Sequence, residues 1–143
     1  MHWQLAEKIY KRCPTIYRGR NLGPDQNLMC FGFECGSGWY ELILDLSIQL
    51  EKITEKLRAD GMDPDYLPMV MQVKEKYGGL SFSLTYYTDE MNVLIDKAEE
   101  DSLTTCEECG AEGKLMSVYG RFQMTCCEEH LPSIVSHSET SDV

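Results

Sequence analysis

The sequence contains no run of eighteen apolar residues, which excludes a membrane-spanning helix from its plan. Its first residues, MHWQLAEKIYKR, place Glu7, Lys8, Lys11 and Arg12 where a secretory leader needs an apolar block. The expectation is a soluble, cytoplasmic protein. Histidine is scarce, with only His2, His130 and His137, so a cysteine or serine nucleophile has few bases to pair with. A phosphate-cradling glycine loop is also missing: GRNLGP lacks the Lys-Ser/Thr that should follow, and CGSGWY does not follow a strand-like stretch. No internal repeat is present.

Positive charge is scarce after the first thirty residues. Residues 1–30 carry five Lys/Arg against two Asp/Glu. Residues 31–102 carry six against fifteen, and residues 103–143 two against seven, within a net charge of -11. A phosphate backbone is bound through clustered Lys and Arg that release counterions, so an acidic body disfavours nucleic acid as the main partner. The basic start, with Lys8, Lys11, Arg12, Arg18 and Arg20, keeps nucleic-acid binding as an alternative.

At 143 residues and 43% hydrophobic content the chain is long enough for one core. Leu5, Ala6, Ile9, Tyr10 and Cys13 recur at helical spacing until Pro14 stops the helix. Residues 14–38 are rich in glycine and read as a long loop with a brief strand at 29–33. Trp39, Leu42, Ile43, Leu46, Leu50, Ile53 and Leu57 form the stripe of a second helix. Ser37 or an adjacent glycine would cap it, and Asp60-Gly61 would end it.

Alternation in Met69, Met71 and Val73, and again in Leu80, Phe82, Leu84 and Tyr86, predicts a hairpin around Gly78-Gly79. That turn would set Val73 opposite Leu84 and leave Glu75 opposite Phe82, an awkward pair. Thr88 would cap a third helix with Asp89 and Glu90 in its first turn and Met91, Leu94, Ile95 and Ala98 buried. The fold expected is α+β, with helices on a small antiparallel hairpin sheet over residues 1–102. A metal-binding module would occupy 103–131 and a flexible tail 132–143.

Seven cysteines are an odd number, and a reducing compartment disfavours disulfides, so metal ligation and buried thiols are the better readings. Cys106 and Cys109 are separated by two residues, as are Cys127 and His130, with seventeen residues between the pairs. Two such pairs at this distance predict one four-coordinate structural zinc ion held by Cys106, Cys109, Cys127 and His130. Cys126 beside Cys127 and the later His137 are substitute ligands that spacing alone leaves open. Three thiolates and an imidazole fill four positions, so no place remains for a reacting water. Cys13, Cys30 and Cys35 read as buried or free thiols.

Trp39 and Tyr40 beside Gly36 and Gly38 offer an aromatic contact patch, and Asp89, Glu90, Glu99 and Glu100 an acidic one. Glu34 and Glu41 flank the glycine-rich turn and are the carboxylates a small hydrolase would use.

Three segments, FGFECGSGWYELI at 31–43, VKEKYGGLSFSL at 73–84 and AEEDSLTTCEECGAEG at 98–113, resemble a group of small bacteriophage and prophage proteins. The resemblance covers residues 1–130 and implies an α+β part followed by a zinc ribbon of treble-clef-like character. In that group the second metal pair is usually Cys-x-x-Cys, so His130 stands where a cysteine is usual. The resemblance brings no activity with it. It implies an accessory protein acting in the cytoplasm of an infected bacterium; the acidic middle segment and the closed metal site point to a non-catalytic protein that binds a host protein and inhibits a defence or nucleic-acid-processing enzyme. A nucleic-acid-binding ribbon and a small hydrolase using Glu34 are the alternatives.

Overall fold

The computed structural model describes residues 1–118, 120 and 122–131. The first helix, α1 (Trp3–Arg12), begins where the His2 imidazole accepts a hydrogen bond from Gln4 N and stops at Pro14. Lys11 and Arg12 sit in its last turn, where the helix dipole favours positive charge. Its inward residues, Ile9 and then Cys13, are fully buried. Tyr10 stacks on Phe33 with centroids 5.3 Å apart, and Tyr17 meets both rings edge-on.

Within the glycine-rich stretch, Met29–Phe31 is a turn of 3-10 helix, and the strand is β1 (Phe33–Glu34). The second helix, α2 (Tyr40–Ala59), is entered through another 3-10 turn, Ser37–Trp39. Ser37 does not cap it: its hydroxyl accepts from His2 N, at 2.9 Å. The expected stripe is present, with Trp39, Ile43, Leu46 and Leu50 buried, and Gly61 takes a φ of +100 just past the C-terminus.

Glu51 also lies on the buried side of α2. Its two carboxylate oxygens accept from Thr15 N (3.0 Å) and Ile16 N (2.9 Å). The turn after Pro14 thereby has its backbone donors satisfied by a helix thirty-odd residues away.

β2 (Val70–Lys76) and β3 (Gly79–Leu84) form the expected hairpin in a different register. The turn residues are Tyr77 (φ 52) and Gly78 (φ 85), the double left-handed geometry of a type I′ turn. Lys76 therefore pairs with Gly79, Glu75 with Leu80 and Val73 with Phe82. The slip of two residues preserves the faces, and it replaces the awkward Glu75–Phe82 pair by Val73–Phe82. Glu75 instead accepts from Gly78 N at 2.7 Å, closing the turn. An irregularity between Val70 and Gln72 shifts the alternation, so that Val70 and Val73 are buried while Met71 is half-buried.

β1 pairs with β2 in parallel, Phe33 opposite Val73, so the sheet is mixed and ordered β1-β2-β3 instead of wholly antiparallel. The third helix, α3 (Asp89–Ser102), is capped by Thr88, whose hydroxyl accepts from Met91 N. Helix α3 and its approach also close the outer edge of β3. Leu80 N donates to Ser102 Oγ, Phe82 N to Glu99 Oε2 and Leu84 N to Tyr87 Oη. Alternate backbone donors on that edge are thus occupied by side chains, which denies the edge to another strand.

Beyond α3, β4 (Lys114–Val118) and β5 (Phe122–Cys126) form a second antiparallel hairpin, Met116 opposite Met124. Thr125 Oγ1 donates to Gly78 O at 2.7 Å, so the two hairpins are joined at the first one's turn. Residues 132–143, where the flexible tail and His137 were expected, lie outside the described residues. Among the described residues no helix is long and apolar enough to cross a membrane.

Candidate metal centre

The first cysteine pair sits on a tight turn between α3 and β4. Gly110 N donates to Cys106 O (2.9 Å) and Cys106 N to Ala111 O (2.8 Å), with Gly110 at φ +81. That loop faces both sulfurs towards the second pair, and Ala111 N points at Cys109 Sγ from 3.5 Å. The second pair follows β5: Cys127 precedes a 3-10 turn, Glu128–His130, in which His130 N donates to Cys127 O. Glu107 N bonds Thr125 O, so the turn and the end of β5 are fixed side by side.

These two short turns bring together the four residues that spacing singled out. The ligand atoms of Cys106, Cys109, Cys127 and His130 all lie within 4.8 Å of one another, so one metal ion can reach them all. Cys109 Sγ is 3.7 Å from Cys127 Sγ. His130 Nδ1 is 3.9 Å from Cys106 Sγ and 3.1 Å from Cys127 Sγ. Without an ion the His130 imidazole, through its hydrogen bond, brings the Cys127 thiol down to about 7, and Cys127 in turn raises the His130 pKa. An ion displaces that shared proton along with those of the other ligand thiols, since metal ligation needs thiolate and neutral imidazole. Cys106 is buried, whereas Cys109 and His130 are exposed, so the centre lies at the surface with one ligand rooted in the interior.

The other thiols are elsewhere. Cys126 is buried at the end of β5 with its sulfur 3.8 Å from Met116 Sδ, outside the group of four. Cys13 and Cys35 are buried, and desolvation raises both thiols to about 12, which removes them from thiolate chemistry at neutral pH. Cys30 is exposed, and its thiol points to Asn27 O.

Behind the centre, the cysteine turn is pressed onto the glycine-rich segment before α2. Gly36 N donates to Glu107 Oε2 (2.8 Å), Gly38 N to Glu107 O (2.7 Å) and Trp39 Nε1 to Thr105 O (2.8 Å). A Cβ on Gly36 would collide with Glu107 O, and one on Gly38 with Cys106 O, so this contact requires both glycines. Burial is the main reason the Glu107 carboxyl is held above the ordinary carboxylate range.

The expected contact residues divide accordingly. Trp39 is 0% exposed and joined to the cysteine turn, so of its two readings the core stripe holds and the accessible aromatic patch does not. Tyr40 is half-buried. Asp89, Glu90 and Glu100 are exposed on α3, but Glu99 is half-buried and bonded to Phe82 N. Glu34 is exposed, and its carboxylate accepts from Gln72 Nε2. Sequence reasoning missed the α3 residue Val93, 67% exposed between Asp89, Glu90 and Asp96. A valine breaking the outer face of an acidic helix was its visible signal. Comparisons with protein-family models, with curated proteins and with solved structures find no match to this chain.

Proposed function

We propose that this protein is a non-enzymatic binding module held together by one structural zinc ion, and that the outer face of α3 docks a basic surface of a partner protein. Zinc is favoured by the donor set, three thiolates and an imidazole. Tetrahedral bond lengths of about 2.3 Å to sulfur and 2.0–2.1 Å to nitrogen set ligand atoms about 3.5–3.8 Å apart. The 3.7 Å separation of Cys109 and Cys127 matches that spacing, while the His130 ring would move ~0.4 Å towards Cys106, now 3.9 Å away, and away from Cys127, now 3.1 Å away, to centre on an ion. Cys106, Cys109, Cys127 and His130 would complete the coordination, so the ion would organise the chain without acting on a substrate.

The observation that carries the binding role is the set of exposed carboxylates beside Val93: Asp89 and Glu90 one turn before it, Asp96 one turn after and Glu100 a turn further, while Lys97, also one turn after, is paired with Asp101 at 3.2 Å. An apolar centre with a charged rim is the anatomy of a docking surface, with the rim governing encounter rate and salt sensitivity. Arg18 and Arg20 are engaged internally, Arg18 with the carbonyls of Thr15, Leu67 and Pro68 and Arg20 with Glu7, which weakens the nucleic-acid alternative. The resemblance to phage and prophage proteins supplies the setting: an accessory product that inhibits a host enzyme in the bacterial cytoplasm.

The test is capture of partners from a bacterial lysate on the immobilised protein, beside a chain carrying Asp89→Lys, Glu90→Lys, Asp96→Lys and Glu100→Lys. A basic protein retained at low salt, released as salt rises to about 0.5 M and lost in the variant is the expected result. Retention indifferent to both changes removes α3 from the account. Retention of oligonucleotides by Lys8 and Lys11 would favour the nucleic-acid reading.

A further inference from the structure

The three donors that seat the cysteine turn on the body, Gly36 N, Gly38 N and Trp39 Nε1, have a common feature. Their acceptors are Thr105 O and the carbonyl and carboxylate of Glu107, the two residues on either side of Cys106. Cys106 is itself one of the four ligands and the only one in the interior. The backbone that positions the deepest ligand therefore also covers Trp39, the largest fully buried side chain of the core.

We propose, building on the metal reading above, that the metal ion and the burial of Trp39 form one coupled device. With the ion bound, the cysteine turn covers Trp39. With the ion removed, the turn lifts off and exposes Trp39 and the Gly36–Gly38 backbone.

Residues 103–131 are too few to bury a core, so their order depends on an ion drawing Cys106 and Cys109 to Cys127 and His130. If that order is lost, three buried or half-buried donors lose their partners at once, and water must reach them. Gly36 and Gly38 leave no side chain to fill the space. The segment they belong to also carries Ser37, whose hydroxyl receives His2 N, so release propagates to the start of α1. Linkage makes the coupling reciprocal: whatever the ion contributes to seating the turn, the seat contributes to holding the ion.

The chain has two tryptophans, so Trp3→Phe leaves Trp39 as sole reporter. The full-length Trp3→Phe protein is loaded with zinc and treated with chelator, and bound zinc and acrylamide quenching of Trp39 are followed together. Quenching should rise severalfold and emission shift to the red in step with zinc loss, and zinc should reverse both. The reciprocal arm is zinc affinity in Trp39→Phe, which keeps an aromatic side chain and all four ligands but loses the N–H donor and part of the buried indole's volume. Affinity should fall by about fivefold, the worth of one ordinary hydrogen bond. In Gly38→Ala it should fall further, and Trp39→Phe keeps this arm informative if Gly38→Ala does not fold. Zinc that leaves while Trp39 stays unquenched overturns the coupling and leaves the metal site standing. Failure to bind zinc at all overturns both.

Discussion

Replacing Glu51 by alanine removes the acceptor of two backbone donors that nothing else among the described residues satisfies. Glu51 is 9% exposed, and its carboxylate holds Thr15 N and Ile16 N at the turn that leads from α1 towards β1. Each buried donor left without a partner costs about 1–3 kcal/mol, and partial hydration of the space left by the side chain favours the lower end of that range. We expect a total loss of about 2–4 kcal/mol, which in a domain of this size lowers Tm by roughly 8–15 °C. Glu51→Gln tests the geometry more finely. Its amide oxygen can keep one bond, but its NH2 must face the other backbone N–H, so it should recover less than half of the loss. The assay is urea and thermal unfolding at saturating zinc, which keeps the metal contribution equal in all three proteins. Stability of Glu51→Ala within about 0.5 kcal/mol of the natural chain would refute the reasoning, because surface substitutions behave that way and buried acceptors do not.

Three further outcomes follow from the same structure. Tyr77 sits at φ 52 in the first position of a type I′ turn, so Tyr77→Asn should stabilise by about 0.5–1 kcal/mol in urea unfolding, less whatever its contact with Lys76 contributes. Thr88→Ala removes the cap of α3 and should cost about 1 kcal/mol by the same measurement, whereas Thr88→Ser should be nearly neutral. Burial, partly offset by the bond from Phe82 N, raises the Glu99 carboxyl above its ordinary 4.5, so the folded chain holds this proton more tightly than the unfolded one. The stability that this linkage adds is full below the ordinary value and lost as pH rises through the raised one. Glu99→Gln should therefore flatten the slope of stability against pH in that window, and an unchanged slope would show the group to be unimportant there.

The elements that sequence made legible are those whose signal is local. Pro14 and the spacing of Ile9 and Cys13 marked α1, the stripe from Trp39 to Leu57 marked α2, and Thr88 with the acids after it marked α3. The four residues that could hold a metal ion were legible for the same reason, since two short turns with fixed gaps can present their side chains to one point. What escaped depends on partners distant in sequence. A two-residue strand such as β1 has no periodicity of its own, and its parallel pairing with β2 is made by Phe33 meeting Val73 across the α2 crossover. The hairpin register turned on tyrosine accepting a left-handed backbone, which residue preferences argue against. The glycines before Trp39 read as loop punctuation, yet they are absent side chains at a contact with residues seventy positions later. Glu51 has no local signal of burial, because its partners are backbone donors of the turn after Pro14, thirty-odd residues away.

Zinc content of protein purified under reducing conditions tests the central claim most directly, measured beside Cys109→Ser and Cys126→Ser. One zinc per chain that falls sharply in Cys109→Ser and persists in Cys126→Ser is the result this account predicts. No metal in the natural chain, or zinc that survives Cys109→Ser and disappears with Cys126→Ser, would contradict it.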